Sequence, residues 1–233
     1  MDFSFLSDPQ YDVLAAFWMN VQLTFWSAIG ALILGTVLAG MRVSPVPLMR
    51  SFATVYVNVV RNIPLTVIII MMAQVLYTQL GLKLAVRTPG EHPQIFLNAQ
   101  NFRLAVLGFI LYTATFVAEA IRSGINTVPA GQAEAARAIG MSFRQTLSLI
   151  VLPQAGRAVI APLGSIFIAL AKNATIVGTI GLMESSNAMK DLINSNGNAV
   201  FQIFFVFAGT FAVVLIPTGY GFGWLANRLA VKR

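Results

Sequence analysis

Residues 132–153 read QAEAARAIGMSFRQTLSLIVLP, a polar stretch set between long oily runs. Glu134-Ala135-Ala136 is followed by Gly140, then by Ile150, Leu152 and Pro153. Small alanines and a glycine let a short helix seat deeply in another protein's groove, and Glu134 can fix its orientation by pairing with a cation there. Gln132 to Ile139 is rich in helix formers, Gly140 permits a turn, and Ser142 is placed to N-cap a second short helix through Ile150. Pro153 then punctuates the return to an apolar run. The pattern is that of a docking element without catalytic groups. A solvated amphipathic loop is the plain alternative, and the spacing to Gly140 and Leu152-Pro153 argues against it.

Outward from this stretch the chain is lipid-like. Of 233 residues, 57% are hydrophobic and only 10% charged, where a soluble domain carries about 25% charged residues. Uncharged runs exceed the roughly 20 residues that cross a bilayer as a helix. The fold class is therefore all-α and integral to the membrane. The net charge of +7 is scattered between apolar runs and not gathered on one stripe, so nucleic acid is not the partner it points to. With no cysteine, disulfides, iron–sulfur clusters and thiol chemistry are excluded. The lone His92 is too little for a histidine-based metal site. Asp2, Asp8 and Asp12 precede the first apolar run without a basic n-region, so that run reads as a retained span and not as a cleaved leader.

Five crossings are expected, over about 13–41, 51–82, 102–122, 158–183 and 199–227, in one transmembrane domain covering 1–233. The first is long enough for ~43 Å of helix. Five crossings put the termini on opposite sides, and the positive-inside rule orients them. With the C-terminus inside, the inner segments hold nine cations, among them Arg42, Arg50, Arg122, Arg137, Arg144, Arg157 and the terminal Lys232 and Arg233. The outer segments hold only Lys83, Arg87, Arg103 and Lys190, beside most of the acids. The N-terminus is thus expected outside and the 123–157 loop in the cytoplasm.

The docking stretch does not stand alone. Three more segments accompany it: Arg61-Asn62-Ile63-Pro64-Leu65, Ala118-Glu119-Ala120-Ile121-Arg122-Ser123-Gly124-Ile125 leading to Val128-Pro129-Ala130-Gly131-Gln132, and Lys172-Asn173-Ala174-Thr175-Ile176. In order and spacing they resemble permease subunits of ATP-binding-cassette importers of the polar amino-acid branch, which handles glutamate, glutamine, arginine and histidine. Met41-Arg42-Val43-Ser44-Pro45 and the run from Asn101 to Tyr112 look most like actinobacterial glutamate permeases. The resemblance implies the five-helix type I importer permease fold with short cytoplasmic coupling helices, in a bacterial cytoplasmic membrane. It implies a second permease subunit, identical or paralogous, two ATPase subunits and an external solute-binding protein. ATP and magnesium would belong to the ATPases, because this chain has no G-x-x-x-x-G-K-[ST] phosphate loop. Glu134, Ala135, Ala136, Gly140, Ile150, Leu152 and Pro153 would couple to them.

Polar residues inside the spans are the candidates for the path. Lys172, mid-span, would cost about 2.5–3.5 kcal/mol if uncompensated, so it should face a cavity. It can attract the carboxylates of an amino acid, with Asn173 beside it as donor and acceptor, or it can pair structurally between helices. The family often has lysine then aspartate here, and Asn173 removes that negative charge, which fits an acidic or neutral substrate. Pro64 frees a carbonyl one turn earlier, so an opened turn at Asn62–Pro64 can line a path. Arg61 reads either as part of it or as a side chain snorkelling to the headgroups. Thr175 joins the path by resemblance. Thr113 is a weaker candidate, since it and Thr115 can simply back-bond to their own helix. Glu119 and Arg122, three apart on one helix face, form either a gating pair or a fixed, mutually neutralising one.

The expected function is translocation of a polar amino acid, L-glutamate first, by a transport subunit that is not itself an enzyme. A self-sufficient ion-coupled carrier using Glu119, Lys172 and Arg61 is the alternative, but the spans show no repeated halves and the docking loop would have no purpose in it. A membrane-anchored assembly factor would have no polar path at mid-membrane.

Overall fold

The computed structural model describes residues 12–229, and among them every regular element is helical. Asp2, Asp8, Lys232 and Arg233, which entered the orientation argument, lie outside the described residues. Helix α1 spans Val13–Val43 and begins where the Asp12 carboxylate accepts from the Ala15 amide at 2.8 Å. After Ser44 the chain re-enters helix at α2, Pro47–Arg61. Next come α3, Leu65–Met71, which winds on as a π-helix over Met72–Gln79, and the long α4, Pro93–Asn126. Short helices α5, Ala130–Ala138, and α6, Phe143–Gln145, follow. A π-turn over Thr146–Val151 leads into α7, Leu152–Asn173, which tightens to a 3-10 segment over Ala174–Ile180. Helix α8, Ser185–Ser195, and helix α9, Val200–Leu229, complete the described chain.

Four of these stretches are long and apolar enough to cross a membrane: α1, α4, Phe143–Ile180 and Gly197–Leu229. The stretch expected as one crossing at 51–82 is instead two helices, Pro47–Arg61 and Leu65–Gln79, bent by 100°. Local chemistry explains the bend. Pro64 has no amide hydrogen and disfavours helix at the residue before it. Asn62 Nδ2 donates to the Asn58 carbonyl, and the Asn62 and Ile63 amides close short turns on Val59 and Val60. The loop expected over 123–157 is also shorter than its sequence implied. The second short helix does not stop at Ile150 but runs on through the π-turn into α7, and Pro153, which has no amide hydrogen to donate, stands at the junction of the two.

Helix α4 is the hub, packing on α1, α2, α3 and α7, while α9 packs mainly on α7. A central cluster joins Leu23, Ile69, Phe109, Leu170 and Val177, and a second, nearer the α5 end, joins Leu38, Ala53, Val57, Ala114 and Ala118. Lipid offers no hydrophobic drive between helices, so close approach of small residues holds them. A Cβ on Gly35 would sit 2.6 Å from Val117 and 2.9 Å from the Ala114 carbonyl, and one on Gly124 would sit 3.0 Å from the Ala155 carbonyl.

The opposite end is tied by polar side chains. The amide oxygen of Gln100, fully buried, accepts from Leu84 and Ala85, both at 2.8 Å, and its nitrogen donates to the Leu82 carbonyl at 2.7 Å. Asn101 donates to the Ile180 carbonyl at 2.8 Å, fixing the end of the 3-10 segment to α4.

Two glycine substitutions test the packing. Gly35→Ala and Gly124→Ala are expected to destabilise the protein by about 1–3 kcal/mol through overpacking. Gly40→Ala on the same α1, where an added Cβ meets nothing within 4 Å, should be neutral or stabilising. Thermal unfolding of the purified protein in detergent ranks the three, and equal midpoints would refute the close-contact account.

Candidate functional site

The docking stretch folds as an elbow. Helix α5 packs on the π-turn over Thr146–Val151, with Ala136 buried between them and Glu134 and Ala135 exposed. Gly140 has φ +90°, a left-handed conformation that side chains rarely adopt, so a glycine is required where the chain reverses. Ser142 caps the next helix in a reciprocal box: its hydroxyl accepts from the Gln145 amide, and the Gln145 side chain accepts from the Ser142 amide at 2.9 Å. Gln154 bridges back to Gln132, locking the two arms. Of the sequence candidates, Leu152 and Pro153 are exposed and Ile150 is half-buried. Sequence reasoning missed Ile139, Phe143 and Leu149. They are 81%, 64% and 65% exposed and make the elbow's surface apolar around Glu134. Their signal was present as apolar residues inside a polar stretch.

Glu119 binds more than Arg122. Its Oε1 lies 2.6 Å from Arg42 Nη1 and 3.3 Å from Arg61 Nη1, and its Oε2 lies 3.8 Å from Arg122 Nη1. The expected pair is thus a four-residue cluster from α1, α2 and α4, with the shortest contact going to the buried Arg42. Arg61, expected on the path or at the headgroups, is one of its members. Neighbouring Asn62 and Pro64 are exposed at the bend.

Lys172 stands apart. It is exposed on α7 and has no ion-pair partner among the described residues. With Thr175, Ile168, Phe211 and Leu215 it lines a groove of about 470 Å³ between α7 and α9. Thr175 Oγ1 donates to the Lys172 carbonyl at 3.0 Å. Thr175 and Phe211 also line an adjoining groove of about 240 Å³ that reaches Ser185 and Ser186 at the start of α8. The two grooves adjoin at Thr175 and Phe211 and are lined mainly by apolar side chains, with Lys172, Thr175 and Ser186 among their few polar members. Asn173 ends α7 beside it, half-buried. Thr113 is buried within α4, away from both grooves, and Thr115 back-bonds to the Tyr112 carbonyl.

At the start of α8 is a buried carboxylate that sequence reasoning missed. Glu184 is fully buried and caps α8, accepting from the Ser186 and Asn187 amides at 2.8 and 3.1 Å and from Asn20 Nδ2 at 3.0 Å. Asn20 Oδ1 in turn accepts from the Ser185 amide and hydroxyl, so α1 and α8 are joined through one amide. Burial pushes the Glu184 pKa up, against the pull of these donors and of the Lys190 charge.

Helices of membrane-crossing length, an exposed elbow and an α7–α9 groove holding an unpaired cation define the class: a multi-pass membrane transport subunit. The chain belongs to the family described as binding-protein-dependent transport system inner membrane component, whose model matches residues 14–230. It is 52% identical over 221 residues to the glutamate transport system permease protein GluC of Corynebacterium glutamicum, covering 95% of both chains. It is 32% identical over 229 residues to the probable glutamine ABC transporter permease protein GlnM of Bacillus subtilis, covering 98% of both. A crystal structure of an amino acid ABC transporter with histidines superposes with a TM-score of 0.80 at 26% identity, over 98% of this chain and 100% of that one. The methionine ABC transporter MetNI shares the fold, with a TM-score of 0.74 at 14% identity. The protein is accordingly a multi-pass cytoplasmic-membrane permease of the ABC importer class, and the self-sufficient carrier is left without support.

The buried Glu184 makes a pH prediction. Its raised pKa means the folded protein still holds a proton that the unfolded chain releases near the ordinary value of 4.5. Stability should therefore fall as pH rises from 4.5 to the folded pKa and change no further above it. Glu184→Gln cannot ionise and should lack this slope. Unfolding midpoints of both proteins across that interval check it, and a wild-type midpoint that rises relative to the variant would contradict the sign.

Proposed function

We propose that this chain carries L-glutamate inward as the permease subunit of an ATP-driven importer. The observation that carries the reading is Lys172: a cation with no carboxylate partner among the described residues, on a largely apolar groove between α7 and α9. An acidic amino acid supplies the missing carboxylate, and Asn173, in place of an acid, leaves the charge uncancelled. The names of the relatives point to the same substrate class. Thr175, Asn62 and Pro64 belong to the same path on this reading, whereas Arg61 is held on Glu119 as a structural cation.

The N-terminus lies outside and the C-terminus in the cytoplasm, so α8 faces an external binding protein and the α5 elbow faces the ATPases. In this arrangement 1–233 is one transmembrane domain of five crossings, the bent α2–α3 pair counting as one. Two ATPases hold ATP and magnesium and receive the elbow through Glu134, Ala135, Ala136, Gly140, Ile150, Leu152 and Pro153. A second permease, a copy or a paralogue, closes the path. ATP-driven closure of the ATPases moves the elbow, and α7, continuous with it, tilts the Lys172 groove between outward and inward openings. The three-arginine cluster on Glu119 holds the inner ends of α1, α2 and α4 together during that motion.

The test is uptake of labelled L-glutamate into proteoliposomes containing this chain, its partner permease, the ATPase and the binding protein. Uptake should require ATP and be lost when this chain is omitted. Uptake driven by an ion gradient without the ATPase would overturn the reading. Lys172→Gln should raise the half-saturating glutamate concentration about tenfold or more, as loss of a charge-assisted hydrogen bond implies. Glu134→Lys and Gly140→Asp should leave the chain inserted yet uncouple or detach the ATPases, which co-purification reads directly. Normal transport by both would remove the elbow from the coupling path.

A further inference from the structure

The Glu119 cluster is unbalanced. Arg42, Arg61 and Arg122 share one carboxylate, leaving two net positive charges. Arg42 is sealed, with 7% of its side chain exposed, but Arg61 and Arg122 are 43% and 44% exposed. A guanidinium offers five N–H donors, and among the described residues Glu119 is the only side-chain acceptor of Arg42 and Arg61 and the only ion-pair partner of Arg122. The cluster is thus a fork of unused donors awaiting an oxyanion.

Its surroundings specify which one. Helix α3 packs along α4, with Ile69 and Met72 beside Gly108, and α2 is bent 100° away from it. Helix α2 starts at Pro47, just after α1 ends at Val43, and its last residue Arg61 reaches the same Glu119 oxygen as Arg42, so both its ends stay near the end of α1, where a bilayer surface would be on the orientation proposed above. Ala53 and Val57 face the protein, while Leu48, Phe52, Val55 and Val59 form an exposed apolar stripe. Arg50 and Arg61 stand toward its two ends. An apolar face with cations at its borders is the pattern of a helix lying in the membrane interface. Basic pockets between helices at the cytoplasmic side take anionic headgroups.

We infer that α2 and the Arg61–Arg122 fork form a binding site for an anionic phospholipid of the inner leaflet, its phosphate on the two guanidiniums and its chains along Phe52, Val55 and Val59. The inference rests on the orientation proposed above, not on the identity of the transported substrate. Bound there, the lipid cancels one of the two excess charges and braces the α2–α3 bend beside Asn62 and Pro64.

The experiment is native mass spectrometry of the whole importer, extracted from membranes containing equal phosphatidylglycerol and phosphatidylcholine. The wild type should retain phosphatidylglycerol preferentially, and Arg61→Gln/Arg122→Gln should reduce that preference on the order of tenfold. Arg144→Gln, on the elbow, should not. A second measurement needs no variant: phosphatidylglycerol with a photoreactive headgroup should mark peptides containing Arg61 and Arg122. An unchanged preference in the double variant, or labelling confined to other segments because a second permease covers this face, would overturn the site. The readout is lipid retention, so failed transport and failed lipid binding are told apart.

Discussion

A bilayer offers no water to a broken backbone, so every carbonyl and amide at membrane depth must find a partner within the protein. The structure depends on that constraint. Regular helix is the default, and each departure from it needs its own local partners. The Asn62–Pro64 bend is closed by the Asn62 side chain and two short turns. The 3-10 segment after Asn173 is closed by Thr175, Thr179 and the Asn101 amide. These two breaks are also where the path candidates lie. Irregular backbone in a membrane protein is tolerated only where its polar groups are satisfied locally or face a polar space, and both breaks meet that condition.

The same constraint sorts the charges. An ion removed from water must be neutralised or must face a polar space, because leaving it unpaired costs several kcal/mol. Arg42 is buried and takes the shortest contact to Glu119, as the least hydrated of the three arginines must. Lys172 has no such partner and sits on an open groove instead. The two solutions divide the molecule. An ion cluster closes the contact between α1, α2 and α4, and near the end of α7 an exposed cation stays on the α7–α9 groove.

The sequence carried the all-helical, apolar character of the chain and the turn and cap of the elbow because those rest on local chemistry. Uninterrupted apolar runs, Gly140 at a reversal and Ser142 three residues before Gln145 each act over a few positions. What it concealed depends on contacts across long separations. Glu119 and Arg122 are visible as neighbours, but Arg42 is 77 residues away and Arg61 58. Glu184 meets Asn20 across 164 residues, and a polar residue in an apolar helix does not announce its partner. The bend at Pro64 was legible as a weakness in a span. Its 100° angle was not, because proline fixes where a helix yields, while packing of α2 on α1 and α4 fixes how far.

The unbroken run from Phe143 to Ile180 changes how the elbow can act. Two separate surface helices joined to the span by a flexible return would dissipate a push, since a loop transmits little force. Here the capped start at Ser142, the π-turn and α7 are continuous, and the Gln154–Gln132 bridge ties α5 to the same shaft. Pro153 and Pro162 interrupt hydrogen bonding along it without ending the helix. On the proposed coupling, a displacement at the elbow swings the shaft widest at its elbow end and least at Lys172 and Thr175, which lie near its far end. The helix is anchored there by Asn101 on Ile180 and by the Asn20–Glu184 bridge just beyond. A rigid arm pinned at one end and pushed at the other rotates about its pin. That geometry opens or closes a groove along its side without requiring any helix to unfold.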